Sequence, residues 1–203
     1  MIGVSPAFFF SLYSTDFTVK DYIRGLRVLQ SLGIEGYQLE VFKADRLDEW
    51  EKEGASLVQC ARDLDLTATQ FVAHFLLSTT KDRDSLMSDD GYEQMRRVTG
   101  IVSQFAECKT ITLPLSPFAL PKGYTLESDG YQRLWDRLVE KLLAFDEIVR
   151  FSGFRLALEI VPGSLLGGTE GLMRLIRETG NETIGYNFDT GHAHSSKECI
   201  ATL

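Results

Sequence analysis

The sequence predicts an α/β fold in which parallel strands alternate with helices in six successive βα units. Three observations carry this reading. Short runs rich in Val, Ile, Leu and Phe alternate with longer stretches whose apolar residues recur at helical spacing. Each unit measures roughly 30–45 residues, the size of a strand and its returning helix. The fifth and sixth strands read as near-continuous apolar runs, as expected of parallel strands buried on both faces.

The first strand is expected over Ile2 to Phe10, with Thr15 or Asp16 capping the helix that follows. That helix carries the stripe Val19, Tyr22, Ile23, Leu26, Leu29 and Leu32 and ends at Gly33. Strand two covers Ile34 to Phe42, with Glu40 near its carboxyl end. Leu47, Trp50, Leu57 and Leu64 mark a second helix, with Gly54 as a point where it breaks. Strand three, Leu66 to Phe75, reaches His74 at its end, and a polar connection follows from Leu76 to Gly91. Tyr92, Met95, Val98, Val102 and Phe105 define the next helix, and Lys109 to Leu115 the fourth strand. A second long connection, Ser116 to Gly130, leads into a helix marked by Leu134, Leu138, Leu142, Phe145 and Val149. Strand five, Phe154 to Val161, carries one acid, Glu159. A short helix around Leu172, Leu175 and Ile176 stops at Gly180, strand six runs from Thr183 to Asp189, and a last helix begins at Ser195. With no low-complexity stretch or linker, residues 1–203 read as a single domain.

Bulk properties narrow the function. The chain is 44% hydrophobic and 25% charged, ordinary for a soluble globular protein. A net charge of -8 offers no footprint for nucleic acid or an anionic membrane surface. No apolar run approaches membrane-spanning length, and Met1 to Phe10 lacks the basic start of a signal peptide. Cys60, Cys108 and Cys199 are too widely spaced for a redox or zinc motif. A cytoplasmic location follows from these readings, and the oligomeric state stays open, a homo-oligomer included.

In parallel α/β folds ligands gather at the carboxyl ends of the strands. Glu40, His74, Glu159 and Asp189 all fall at or near such ends, and the two longest connections emerge at the same face. Two of the three histidines, His192 and His194, follow Asp189 within five residues. A carboxylate and an imidazole so close can give a divalent cation one oxygen and one nitrogen ligand. Each residue also has a structural reading. Glu159 could pair with Arg155, Asp189 could cap the following turn, and His192 or His194 could be structural. His74 could be a satisfied core histidine and Glu40 a buried ion-pair partner. The run Gly163 to Gly171 lacks the Gly-Lys-Ser/Thr ending of a phosphate loop and reads as a flexible connection.

With these residues placed, the chain resembles the xylose isomerase-like TIM barrels, a family of sugar and sugar-phosphate isomerases and epimerases with related dehydratases and endonucleases. The resemblance is most specific at Leu156 to Pro162 (LALEIVP) and Asn187 to His194 (NFDTGHAH), and Gly33 to Phe42 is similar to the family's second strand. It implies a (β/α)8 barrel of which about six of eight units are present, with roughly 60–80 further residues needed toward the ~250 of a complete barrel. It also implies that Glu159 and Asp189 are two ligands of one divalent metal. Glu159 would in addition exchange a proton next to the substrate carbonyl, through an enediolate. His192 falls where the family places a substrate-contacting histidine, or a metal ligand in the endonuclease branch. The substrate would be a small sugar or sugar phosphate. His74 and Glu40, by their strand-end positions, are expected to line the same substrate pocket. A ligand set dominated by carboxylates favours Mn²⁺, Mg²⁺ or Co²⁺ over Zn²⁺.

Two competing functions stand beside the isomerase. A DNA-repair endonuclease of the same fold needs histidines after strands three and four, and strand four ends in Leu113-Pro114-Leu115. A catalytically incompetent fragment or binding module gains weight from the two units expected beyond Leu203.

Overall fold

The computed structural model describes residues 3–4, 14–120, 123 and 130–198. The strands are β1 (Gly3–Val4), β2 (Gly36–Glu40), β3 (Thr67–Val72), β4 (Thr110–Leu115), β5 (Arg155–Ile160) and β6 (Gly185–Tyr186). The helices are α1 (Val19–Ser31), α2 (Leu47–Asp63), α3 (Arg83–Met87), α4 (Tyr92–Val102), α5 (Gly130–Phe151), α6 (Thr169–Thr179) and α7 (Thr190–Ser195). All strand pairs are parallel, and the sheet order is the chain order, β1 to β6. Crossovers between parallel strands are right-handed almost without exception, so an order that never reverses stacks the crossover helices on one side. The sheet curls with its other face inward, as part of a barrel wall.

Strand alternation divides the side chains between these faces. On β5, Leu156, Leu158 and Ile160 are buried under the helices, while Ala157 and Glu159 point the other way. On β2, Tyr37 and Leu39 enter the core with Leu26, Trp50 and Leu57, leaving Gln38 and Glu40 on the concave side. The strands are therefore apolar toward the helices and polar toward the barrel axis, rather than apolar on both faces as their sequence runs suggest.

Several local expectations change for identifiable reasons. Helix α1 is capped by Thr18, whose hydroxyl accepts from Asp21 N while Asp21 Oδ2 accepts from Thr18 N, a reciprocal capping box. Asp16 instead pairs with Arg46 and Lys43. Helix α2 runs unbroken through Gly54, where a Cβ would approach Gln104 Oε1 to 3.0 Å, so the glycine serves close packing. The connection expected over 76–91 is instead ordered as a 3₁₀ turn, His74–Thr80, that begins at the end of the expected third strand, followed by the short α3, capped by Asp82. Strand β6 has only two paired residues, and the last helix starts after Asp189 rather than at Ser195. Most of the expected first strand, part of the 116–130 connection and residues 199–203, Cys199 among them, lie outside the described residues.

Lys141 on α5 explains how the α3 segment is held. Its side chain is fully buried, and Nζ donates to Ser85 O at 2.7 Å and Ser88 O at 2.9 Å. Burial pushes its pKa down. Lys141→Met should remove one donor from each of these carbonyls, leaving Ser85 O to Ser88 Oγ and Ser88 O to Arg137, and cost about 1 kcal/mol in chemical denaturation. A loss within the scatter of the measurement would show that water replaces the amine.

Candidate metal centre

The inner face of the sheet carries a layered set of polar side chains near the carboxyl ends of the strands. A bulge in the β2–β3 register sets its geometry. Tyr37 pairs with Ala68 and Gln38 with Gln70, so Thr69 is the inserted residue. The insertion shifts Gln70 onto the same face as Gln38, and Thr69 donates its hydroxyl to Tyr37 O. A hydrogen-bond chain then crosses three strands. Thr112 Oγ1 donates to Gln70 Oε1 at 3.1 Å, Gln70 Nε2 to Gln38 Oε1, and Gln38 Nε2 to Glu40 Oε2 at 3.5 Å.

Above this floor lies a cavity of about 330 Å³ lined in part by Glu40, Phe42, His74, Glu159, Asn187 and Asp189. Four of the five residues singled out in the sequence thus line one cavity, and the fifth, His192, contacts Glu159 at its edge. His194 is exposed and stands apart from the cluster. His74 sits at the start of the 3₁₀ turn, half-buried, with its ring 4.2 Å from that of Phe42. Burial lowers its pKa. Together His74 and Phe42 form the aromatic wall.

Glu159 is one-fifth exposed, Asp189 under one-half and His192 about one-third. Asn187 is fixed through its backbone N–H to Leu158 O at 2.9 Å, and its Nδ2 donates to Glu159 Oε2 at 2.9 Å. The other oxygen, Oε1, lies 3.4 Å from His192 Nε2, which is 4.0 Å from Asp189 Oδ2. Burial raises the Glu159 pKa, opposed by the Asn187 hydrogen bond and by His192. Asp189 also caps α7, its Oδ1 accepting from His192 N at 2.8 Å. The capping role and the cluster role therefore coexist, one oxygen each. No ion pair joins Glu159 to Arg155 among the described residues.

Donor atoms of Glu159, Asp189 and His192 lie within 4.8 Å of one another. Two ligands at about 2.1 Å from one ion stand at most about 4.2 Å apart, so these residues fit a single divalent cation after a shift of tenths of an ångström. Glu40 is not part of this group. It is 5% exposed, and burial together with the negative charge of Glu159 pushes its pKa up to about 8.

Gln38, Gln70, Thr112 and Asn187 were not anticipated. The i,i+2 spacing of Gln38 and Glu40 on a strand was a usable signal for one of them. Gln70 was hidden by the bulge, which no local pattern announces.

Residues 26–200 match the sequence profile of the family described as xylose isomerase-like TIM barrel. Three solved structures resemble the fold. One is D-psicose 3-epimerase in the presence of D-fructose, at TM-score 0.70 and 15% identity, covering 98% of this chain and 67% of that one. The second is 3-keto-D-glucoside 4-epimerase YcjR from E. coli, at 0.69 and 13%, covering 92% and 70%. The third is the IOLI protein with a bound zinc atom, at 0.69 and 14%, covering 98% and 66%. The chain spans about two thirds of the length of these proteins. No curated protein matches it. Among the described residues no helix is long and apolar enough to cross a membrane.

The Glu40 carboxyl yields a pH prediction for the metal-free protein. Its pKa rises from 4.5 to about 8 in the folded state, so the folded protein holds an extra proton between those values. The contribution is fully present below about 4.5 and is lost as pH rises through about 8. Glu40→Gln should therefore gain stability relative to the parent across that window, by up to about 1.4 kcal/mol per pH unit. Parallel stability–pH curves in denaturation with EDTA would contradict the shift.

Proposed function

Since the chain belongs to the xylose isomerase-like TIM barrel family, we propose that it is a metal-dependent sugar isomerase or epimerase working by proton transfer next to a carbonyl. The observation that carries this reading is the convergence of Glu159, Asp189 and His192 donor atoms within 4.8 Å at the edge of a polar cavity. Structural likeness to two sugar epimerases points the same way. The substrate is a small sugar or sugar phosphate.

Glu159 and Asp189 would hold the ion, with His192 beside them as a further ligand or a donor to substrate. Two carboxylates to one imidazole favour Mn²⁺, Mg²⁺ or Co²⁺, although the IOLI structure carries zinc. A divalent ion there supplies Lewis acidity that polarises a carbonyl and stabilises the enediolate. The remaining work falls to the chain's own side chains. Asn187 anchors Glu159 Oε2 and so fixes the plane of the carboxyl, leaving Oε1 toward the cluster. Burial raises the proton affinity of Glu159, which suits a group that must take a proton from carbon and return it. Burial raises the proton affinity of Glu40, and in its protonated form it can donate to a substrate oxygen, with Gln38 holding its Oε2. The Phe42–His74 wall offers a ring face to the C–H side of a sugar.

A ketose incubated with the protein and Mn²⁺ in D₂O should acquire deuterium at the carbon beside the carbonyl, followed by NMR. Glu159→Gln should slow the exchange by about 10²–10⁴-fold, and EDTA should stop it. Exchange that survives both treatments would overturn the mechanism.

A further inference from the structure

Helix α6 begins without a cap of its own. Its N-cap residue is Gly168, at φ 145° and ψ −158°, which offers no side chain to the first N–H groups of the helix. The missing acceptor arrives from beyond α7. Glu198 Oε1 accepts from Thr169 N at 3.0 Å, and Glu198 Oε2 accepts from Thr169 Oγ1 at 2.6 Å. A carboxylate at this end satisfies orphan donors and meets the positive end of the helix dipole. Gly168 makes the approach physically feasible, because a Cβ there would lie 2.1 Å from Glu198 Oε1. The Tyr186 hydroxyl, on β6, stands 3.5 Å from Thr169 Oγ1 and ties the same point to the sheet.

The contact bears on the metal cluster through α7. At its start, Asp189 Oδ1 accepts from His192 N, and Asp189 O accepts from Ala193 N. At its end, Lys197 adopts a left-handed conformation at φ 61°, Lys197 N donates to His194 O, and Glu198 N donates to Ala193 O. This single closed turn holds His192 between two anchors, Asp189 at one end and Glu198 at the other. With only six helical residues, α7 has little stability of its own. Its orientation depends on what holds its ends.

We infer that Glu198 is a positioning residue, clamping the far end of α7 to the N-terminus of α6 and thereby holding His192 against Glu159. The consequence for metal affinity rests on the metal-centre reading above. The clamp itself does not.

The test uses the full chain with two readouts: Mn²⁺ affinity by EPR titration, and the imidazole NMR signals of the metal-free protein. Only three histidines contribute to those spectra. Glu198→Ala should weaken Mn²⁺ about tenfold, the scale of losing a group that orients a ligand. It should also shift the His192 ring signals toward those of a free imidazole, with His74, in a different loop, unchanged. Thr169→Val keeps only the bond from Thr169 N, and Glu198→Gln keeps both contacts, its Nε2 now donating to Thr169 Oγ1, but loses the negative charge, so both should show the same changes to a smaller degree. Arg97→Ala, which breaks a surface ion pair between α4 and α2, should alter neither readout. If Glu198→Ala does not fold, the two milder variants carry the comparison. His192 signals and Mn²⁺ affinity at parent values in folded variants would overturn the clamp. If the parent binds no Mn²⁺, the metal reading fails, and the His192 signals alone still decide whether Glu198 positions it.

Discussion

Three carboxyl groups, Glu40, Glu159 and Asp189, line one cavity, and no Lys or Arg stands among its described lining residues. Burying negative charge without a counter-charge is costly, and a protein can relieve it by keeping protons or by binding a cation. Both responses are written into this wall. Glu40, the deepest, holds its proton to about pH 8, partly because Glu159 is near. Glu159 and Asp189, nearer solvent, keep an imidazole between them and the spacing of ligands to one ion. The graded burial of the three acids divides their roles: the inner one resembles a neutral hydrogen-bond donor, the outer two a cation clamp.

The scaffold imposes this gradient with simple means. A sequential parallel sheet has a helix-covered face and a concave face, and strand alternation assigns every second side chain to each. Leu156, Leu158 and Ile160 pin β5 under the helices, so Ala157 and Glu159 have no choice of direction. The amide and hydroxyl chain from Thr112 through Gln70 to Gln38 then locks the floor across three strands. Such a network rigidifies the site because each partner satisfies the next in the low dielectric of the interior.

Much of this was legible in the sequence. The order of elements, the stops at Gly33 and Gly180 and the strand-end positions of Glu40 and Glu159 follow from periodicity and turn chemistry alone, whereas Asp189 lies past the end of β6 as the cap of α7. What stayed hidden depends on tertiary contact. The Thr69 bulge reverses which face Gln70 occupies, and nothing local to TATQFV reports it. Gly54 reads as a helix breaker, yet tertiary packing against Gln104 outweighs its weak propensity. The polar segment after β3 looked like loop because its organiser, Lys141, sits 53 residues from Ser88. Asp189 was weighed as either cap or ligand, when its two oxygens allow both. Glu198 drew no notice, since a cap supplied from 29 residues away leaves no local signature.

The central claim is that the acid cluster is a cation site rather than a solvated strand end. Diffraction from crystals soaked in Mn²⁺, collected at a wavelength that reveals the metal by anomalous scattering, addresses it most directly. The account predicts one strong peak within about 2.0–2.3 Å of oxygens from both Glu159 and Asp189. Mn²⁺ bound only elsewhere on the molecule, with both carboxylates free, would contradict it.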